Sequence, residues 1–166
     1  DKLHFQVNAY LLDIYDLLVA ERVGDDQYIG RNAGKTEHKG IELNISYNQS
    51  VGRFLYISPY LNAEITDHKF IDFVDGDSDF SGNQLTGVPD KKINGGINLG
   101  LKNFSLSSNF LHIGEIPLND ANALYSEKYT VFNTKASYKN QLSKALSFEI
   151  NAGINNFTDE KYASSV

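Results

Sequence analysis

The residues whose type and spacing come nearest to a known chemistry are Asp75-Gly76-Asp77-Ser78-Asp79, with Asp72 close by. Carboxylates at i, i+2 and i+4 open the loop that wraps a Ca²⁺ ion, so Asp75, Asp77 and Asp79 are weak metal candidates. Two positions depart from that pattern. Phe80 stands where the sharp turn needs Gly, and Thr86 stands where a bidentate Glu is needed. A solvated acidic loop is the preferred reading, and no metal site is assigned. His4, His38, His68 and His112 are scattered without ligand spacing. No Gly-x-Ser-x-Gly elbow occurs, and Gly95-Gly96 lies in an alternating stretch rather than in a strand-to-helix phosphate loop. The absence of Cys removes disulfides, thiolate metal sites and cysteine nucleophiles. The expectation is a protein without enzymatic activity or cofactor.

The elements that hold these residues are strands. Leu146, Phe148, Ile150, Ala152 and Ile154 alternate without a fault against Ser147, Glu149, Asn151, Gly153 and Asn155. Side chains of a strand point alternately to opposite faces, so one face is greasy and the other is small and amide-rich. The same alternation places strands near 3–15, 40–48, 54–65, 92–102, 104–113, 129–139 and 146–156. Ile14–Glu21 also fits a helical stripe, but a strand continuing to about Tyr15, followed by loop, is preferred. Pro59 lies inside its strand and implies a bulge or a missing ladder bond. In 104–113 the phase is mixed, because Phe104, Leu106 and Phe110 oppose Leu111 and Ile113.

Connections alternate in length. Turns at 49–53, 103 and 140–145 are short, and loops near 16–39, 66–91 and 114–128 are long. The fold class is therefore all-β, an up-and-down antiparallel meander of about seven strands with short turns at one end and long loops at the other. Net charge is −6 with no basic cluster, which argues against nucleic acid as a partner. Mean hydropathy is −0.36, and no apolar run approaches the roughly 20 residues of a membrane helix. That leaves a membrane barrel open, since its strands hide lipid contact in alternation. Asp1–Val7 is already strand-like with no signal peptide before it, so the protein is either cytosolic or the chain begins inside a longer one.

Three features favour lipid over a protein core. Strands of roughly 9–11 residues match a tilted membrane-spanning strand. The polar face is rich in Asn, Ser and Gly, as a wet lumen requires. Tyr47 and Tyr138 sit on greasy faces at the short-turn ends, near Leu55, Phe104 and Phe148, where an aromatic girdle belongs. The alternative is a soluble small-ligand or carbohydrate-binding β-barrel with its greasy face inside. In lipid an open edge is not tolerated, so a seven-stranded piece must be part of a barrel or associate to close one.

Asn32-Ala33-Gly34-Lys35 followed by Lys39-Gly40-Ile41-Glu42-Leu43 resembles a late descending strand of TonB-dependent outer-membrane receptors. Leu85-Thr86-Gly87-Val88-Pro89-Asp90-Lys91 before Ile93-Asn94 resembles the next descending strand. Ile154-Asn155-Asn156-Phe157-Thr158-Asp159-Glu160-Lys161-Tyr162 is similar to the penultimate strand and its exit into the last extracellular loop. The resemblance implies a barrel of about 22 strands in the bacterial outer membrane, plugged from within. It also implies a TonB-energised importer of siderophore-bound iron, cobalamin or oligosaccharide. On that reading 1–166 is a single β-barrel segment that stops before the last strand. Its partners are outer-membrane lipid, the remaining wall and plug, TonB through the missing N-terminal part, and a small-molecule substrate. Any ligand-binding surface falls on loops 66–91 and 114–128, where Phe73, Phe80 and Tyr125 are weak stacking candidates, packing of the loop itself being the alternative.

Overall fold

The structure, a computed structural model, describes residues 2–16, 18–24, 27–32 and 34–163. Seven long strands form one antiparallel meander. In sheet order they are β1 (Leu3–Tyr15), β4 (Lys35–Tyr47), β6 (Leu55–Asp72), β9 (Lys91–Leu101), β10 (Phe104–Ile113), β11 (Tyr129–Gln141) and β12 (Ser147–Ile154). Two short hairpins stand apart from this sheet, β2 (Leu18–Gly24) with β3 (Gln27–Asn32) and β7 (Val74–Asp75) with β8 (Ser78–Asp79). A short strand β5 (Gln49–Val51) pairs with the start of β6. Each long strand pairs with the next long strand in the chain, and the long connections all lie at one end.

Register turns the alternation into two walls. Leu55, Leu101, Phe104, Tyr138 and Ile150 stand opposite one another across five strands. Phe104 and Tyr138 rings lie 4.6 Å apart, and Tyr138 and Phe148 rings 5.9 Å apart, a continuous aromatic row at the short-turn end. Much of the greasy wall is exposed: Leu3, Phe5, Leu11, Ile41, Ile65 and Ile154 are each more than half accessible. The other wall carries Asn8, Glu42, Asn44, Asn62, Asn94 and Ser107. Leu111 and Ile113 belong to this polar side, because Phe104, Leu106 and Phe110 pair with the greasy residues of β9. The mixed phase of 104–113 is a strand with apolar residues on both faces near its loop end.

Two expectations are corrected. β4 begins at Lys35 and β6 continues to Asp72, several residues beyond the end of their apolar alternation. The ladder needs only backbone groups, and above Ile41 and Ile65 its outer face is charged instead of greasy. The 16–39 connection carries the β2–β3 hairpin rather than plain loop. Of the two alternatives expected at Pro59, the missing ladder bond holds and the bulge does not. The ladder is interrupted between Ser46↔Tyr60 and Gln49↔Ile57, and the register is the same on both sides of the gap. The missing N–H therefore falls beside the break at Tyr47-Asn48, where Asn48 Oδ1 accepts the Tyr56 and Ser58 hydroxyls at 2.7 Å each.

The buried core cluster among the described residues is small and lies at the loop end, with Phe70 on the polar-wall side of β6. Phe70, Phe73 and Leu85 form it, with Phe80 and Val88 packed against them. Phe70 at the top of β6 is 1 % exposed and lies 4.6 Å from the Phe73 ring. Phe70→Ala should destabilise this loop by about 3–5 kcal/mol while leaving the sheet intact. Limited proteolysis is then expected to cut within 73–90 at least tenfold faster, by an order-of-magnitude conversion of that loss, with strand content by circular dichroism unchanged.

Candidate functional site

The long-loop end is an ordered continuation of the sheet. Above Lys91 the arm 83–90 takes the place of β9 beside β6: Thr66 N–H donates to Asp90 O, Leu85 N–H to His68 O and Phe70 N–H to Asn83 O, at 2.9–3.0 Å. The loop after β10 docks on that arm in turn, with Gly87 N–H donating to Pro117 O at 2.9 Å and Asp90 N–H to Glu115 O at 3.3 Å. Asn122, at φ 51°, acts as a substitute peptide group. Its Oδ1 accepts Gln84 N–H at 2.6 Å while its Nδ2 donates to Gln84 O at 3.0 Å. Asn83 Nδ2 donates to Asp120 O at 2.8 Å, and Thr86 Oγ1 donates to the Asp120 carboxylate. Loops 66–91 and 114–128 thus act as one surface.

The loop residues singled out from sequence are divided by this packing. Phe73 is buried and Phe80 lies 5.7 Å from its ring, so both rings fill the loop's own core. Tyr125 remains exposed and donates to Gln84 Oε1 at 3.3 Å. Asp75 and Asp79 sit in β7 and β8, and Asp77 in the turn between them, with Gly76 at φ 57°. Asp79 Oδ1 accepts Ser81 N–H at 2.9 Å. Hydrogen bonds from the Ser81 side chain and backbone hold its carboxyl below the usual range. Among the described residues no three His, Asp or Glu side chains converge on a point that could hold a metal ion.

Below the loops, the polar wall carries a shelf of hydrogen-bonding groups. Asn8 Nδ2 donates to Glu42 Oε2 at 3.1 Å and Asn62 Nδ2 to Asn94 Oδ1 at 3.2 Å. Glu64 faces Lys92 across β6 and β9. Glu42, Asn44, Asn62, Glu64, Lys92 and Asn94 line a concavity of about 320 Å³. A second groove of about 200 Å³ climbs from Glu64 and Lys92 past Thr66 and His68 to Val88 and Pro89 of the arm. Mixed acid, base and amide groups of this kind suit a polar ligand. Sequence reasoning missed this shelf, because its members come from different strands and meet only through register.

On the opposite wall the greasy band ends in ions. The row Ala9–Ile41–Ile65 is apolar, the next is Leu11–Lys39–Asp67, and the one above is Asp13–Glu37–Lys69. Lys39 Nζ lies 3.0 Å from Glu37 Oε1 and 3.2 Å from Asp67 Oδ2, and Lys69 Nζ lies 3.2 Å from Asp67 Oδ2. Partial burial raises the Asp67 carboxyl, but the bonds from Lys39 and Lys69 outweigh it and hold it below its ordinary value. Bonds to Glu37 and Asp67 push the Lys39 ammonium up. A band of greasy rows ending abruptly in paired charges is the profile of a wall leaving hydrocarbon for headgroups.

Residues 1–157 match the family model described as the TonB dependent receptor-like β-barrel. The chain belongs to the TonB-dependent receptor family. The match covers all seven long strands, and the family is one of outer-membrane receptors and transporters rather than enzymes. No curated protein matches the chain. Membership in the family accords with a wall that has one greasy and one polar face. It likewise implies contact with a plug, with TonB and with a substrate in general terms.

Asn122→Ala should cost about 0.5–1.5 kcal/mol of loop docking, since it removes both hydrogen-bond partners of the half-buried Gln84 peptide groups. The expected outcome is faster amide exchange at Gln84, Gly87 and Asp90, with exchange in β10 and β11 unchanged.

Proposed function

We propose that this chain is a seven-stranded section of the wall of a TonB-energised outer-membrane importer, a single barrel segment completed by further strands and an internal plug. The observation that carries the reading is the pairing of an exposed greasy wall with a polar wall beneath an ordered loop surface. A soluble barrel would pack its greasy wall around a core, whereas among the described residues the buried cluster of Phe70, Phe73 and Leu85 lies at the loop end and the greasy rows pack on nothing. β1 and β12 each pair on one side only among the described residues. Unpaired backbone in hydrocarbon costs several kcal/mol per group, so neighbouring strands of the barrel would close both edges.

In this reading loops 66–91 and 114–128 receive the cargo on the outside of the cell. The shelf Glu42–Glu64–Lys92 with its Asn neighbours lies on the path inward. The cargo class is siderophore-bound iron, cobalamin or an oligosaccharide, each a polar molecule that the amides and charges of the shelf can bind. Tyr125, exposed at the loop surface, is the ring placed to stack on it.

Single spin labels at Ile41, Leu43 and Ile45, and at Glu42, Asn44 and Ser46, test the assignment of the two walls. In the native outer-membrane polypeptide the odd positions should be relaxed by oxygen in the lipid and the even ones by a water-soluble nickel chelate. In addition, Leu43→Arg should cost about 2–4 kcal/mol of stability in lipid vesicles and Asn44→Arg far less. Equal quenching along the strand, or equal cost of the two Arg variants, would remove the lipid reading and restore the soluble binding barrel.

A further inference from the structure

Where the polar wall meets the loop arm, three strands are joined by an unbroken line of side-chain hydrogen bonds. Thr36 Oγ1 lies 3.0 Å from His38 Nε2, His38 Nδ1 lies 2.7 Å from His68 Nδ1, and His68 Nε2 lies 3.2 Å from the Tyr10 hydroxyl. His38 and His68 are directly paired across β4 and β6. Tyr10 reaches them from β1 only because its register partner is Gly40. A Cβ there would stand 2.6 Å from the Tyr10 hydroxyl and 2.8 Å from Ile65 O. Thr36 is fully buried, which fixes the far end of the line. All four imidazole nitrogens are therefore bonded, so the pair is a hydrogen-bonded junction rather than two ligands awaiting a metal.

Proton counting gives this junction a defined capacity. The contact between the two Nδ1 atoms needs one N–H and one lone pair. With both rings neutral the line runs in either direction, since Thr36 and Tyr10 can each donate or accept. With one ring charged, the charged Nδ1–H still donates to its neighbour, and both Nε2–H groups donate outward. With both charged, two N–H groups face each other and the contact is repulsive. Burial lowers the proton affinity of both rings, and for His68 the nearby His38 lowers it further against the pull of Glu64 and Asp67. Both rings stand above the last apolar row, outside the lipid-facing band.

His68 also carries the loop arm. Its carbonyl accepts Leu85 N–H, and its neighbour Lys69 bridges to Gln84. The gap it shares with Leu85, Val88 and Asp90 holds only about 10 Å³. That is at or below the room needed for one water, so a charged ring turned that way cannot be hydrated while the arm stays down. The titratable groups around the junction are Tyr10 from β1, Glu42 from β4, Glu64 and Asp67 from β6, Asp90 from the arm and Lys92 from β9. Lys92 shares the open groove with His68 and opposes a swing in that direction, while Lys39 and Lys69 are held on the other face by Asp67.

We propose that His38 and His68 form an acid-sensitive latch. It holds the arm 83–90 against the wall while the pair carries at most one positive charge, and it frees the arm when both rings are charged. The sign follows from linkage: a histidine whose proton affinity is lowered by folding contributes full stability above its unfolded value near pH 6.5, and loses it as pH falls toward the folded value. That the arm faces the cell exterior rests on the importer reading above, whereas the latch itself rests on the junction.

Amide exchange of Phe70, Gly82 and Leu85 in the native outer-membrane polypeptide is the test, corrected for intrinsic exchange, from about pH 8 to about pH 5. Protection should fall by about tenfold or more on acidification in the wild type, and stay constant in the double variant His38→Asn, His68→Gln. Imidazole ¹⁵N shifts should show the pair titrating in two steps at least about one pH unit apart. Protection unchanged by acid, protection lost equally in the double variant, or two independent titrations at the ordinary histidine value would each overturn the latch. None of these readouts depends on which wall meets lipid, so the latch and the importer reading fail separately.

Discussion

The structure depends on the continuity of one antiparallel ladder. Backbone groups facing hydrocarbon have no water to bond, so each must find a partner in the next strand. Nearest-neighbour pairing from β1 to β12 supplies this without a crossover. Even Pro59, which cannot donate, is placed where the partner strand is itself interrupted. The ladder also outlasts the greasy pattern. In β4 and β6 it continues past Ile41 and Ile65 into residues whose outer faces are ion-paired and whose inner faces hold the histidine junction and Phe70.

This continuation links wall to loop. The arm 83–90 extends the line of β9, and 115–117 extends the line of β10, so the long loops inherit the register of the strands below. Their order does not come from a large core, since Phe70, Phe73 and Leu85 are few. It comes from backbone bonds supplemented by side chains that imitate backbone, with Asn122 on Gln84 as the clearest case. Such a surface keeps a fixed shape with few buried residues, which suits recognition at the mouth of a pore.

The two walls use the same register for different ends. On the greasy side it aligns aromatic rings into a row at the short turns and charges into paired rows above the band. On the polar side it brings Glu42, Glu64 and Lys92, and the amides beside them, to one level. No two of these three lie within twenty residues of each other in the chain. The glycines at 40 and 95 serve the same economy: Tyr10 lies across the first and the Phe110 ring across the second, on opposite walls.

What the sequence determined by itself was whatever repeats every two residues or depends on connection length: seven strands, their greasy and polar faces, and the end that carries the long loops. Those features are local, so Leu146–Ile154 declares its faces without reference to any neighbour. Strand ends were less legible, because reading by apolar alternation stops at Ile65 while the backbone ladder continues to Asp72. The ambiguous phase at Leu111 and Ile113 was settled by pairing with β9, which no single strand contains. Scattered histidines became a bonded pair for the same reason: His38 and His68 are thirty residues apart in sequence and opposite one another in register. Only tertiary pairing decides which distant residues share a level, and the shelf, the junction and the joined loops are all made of such residues.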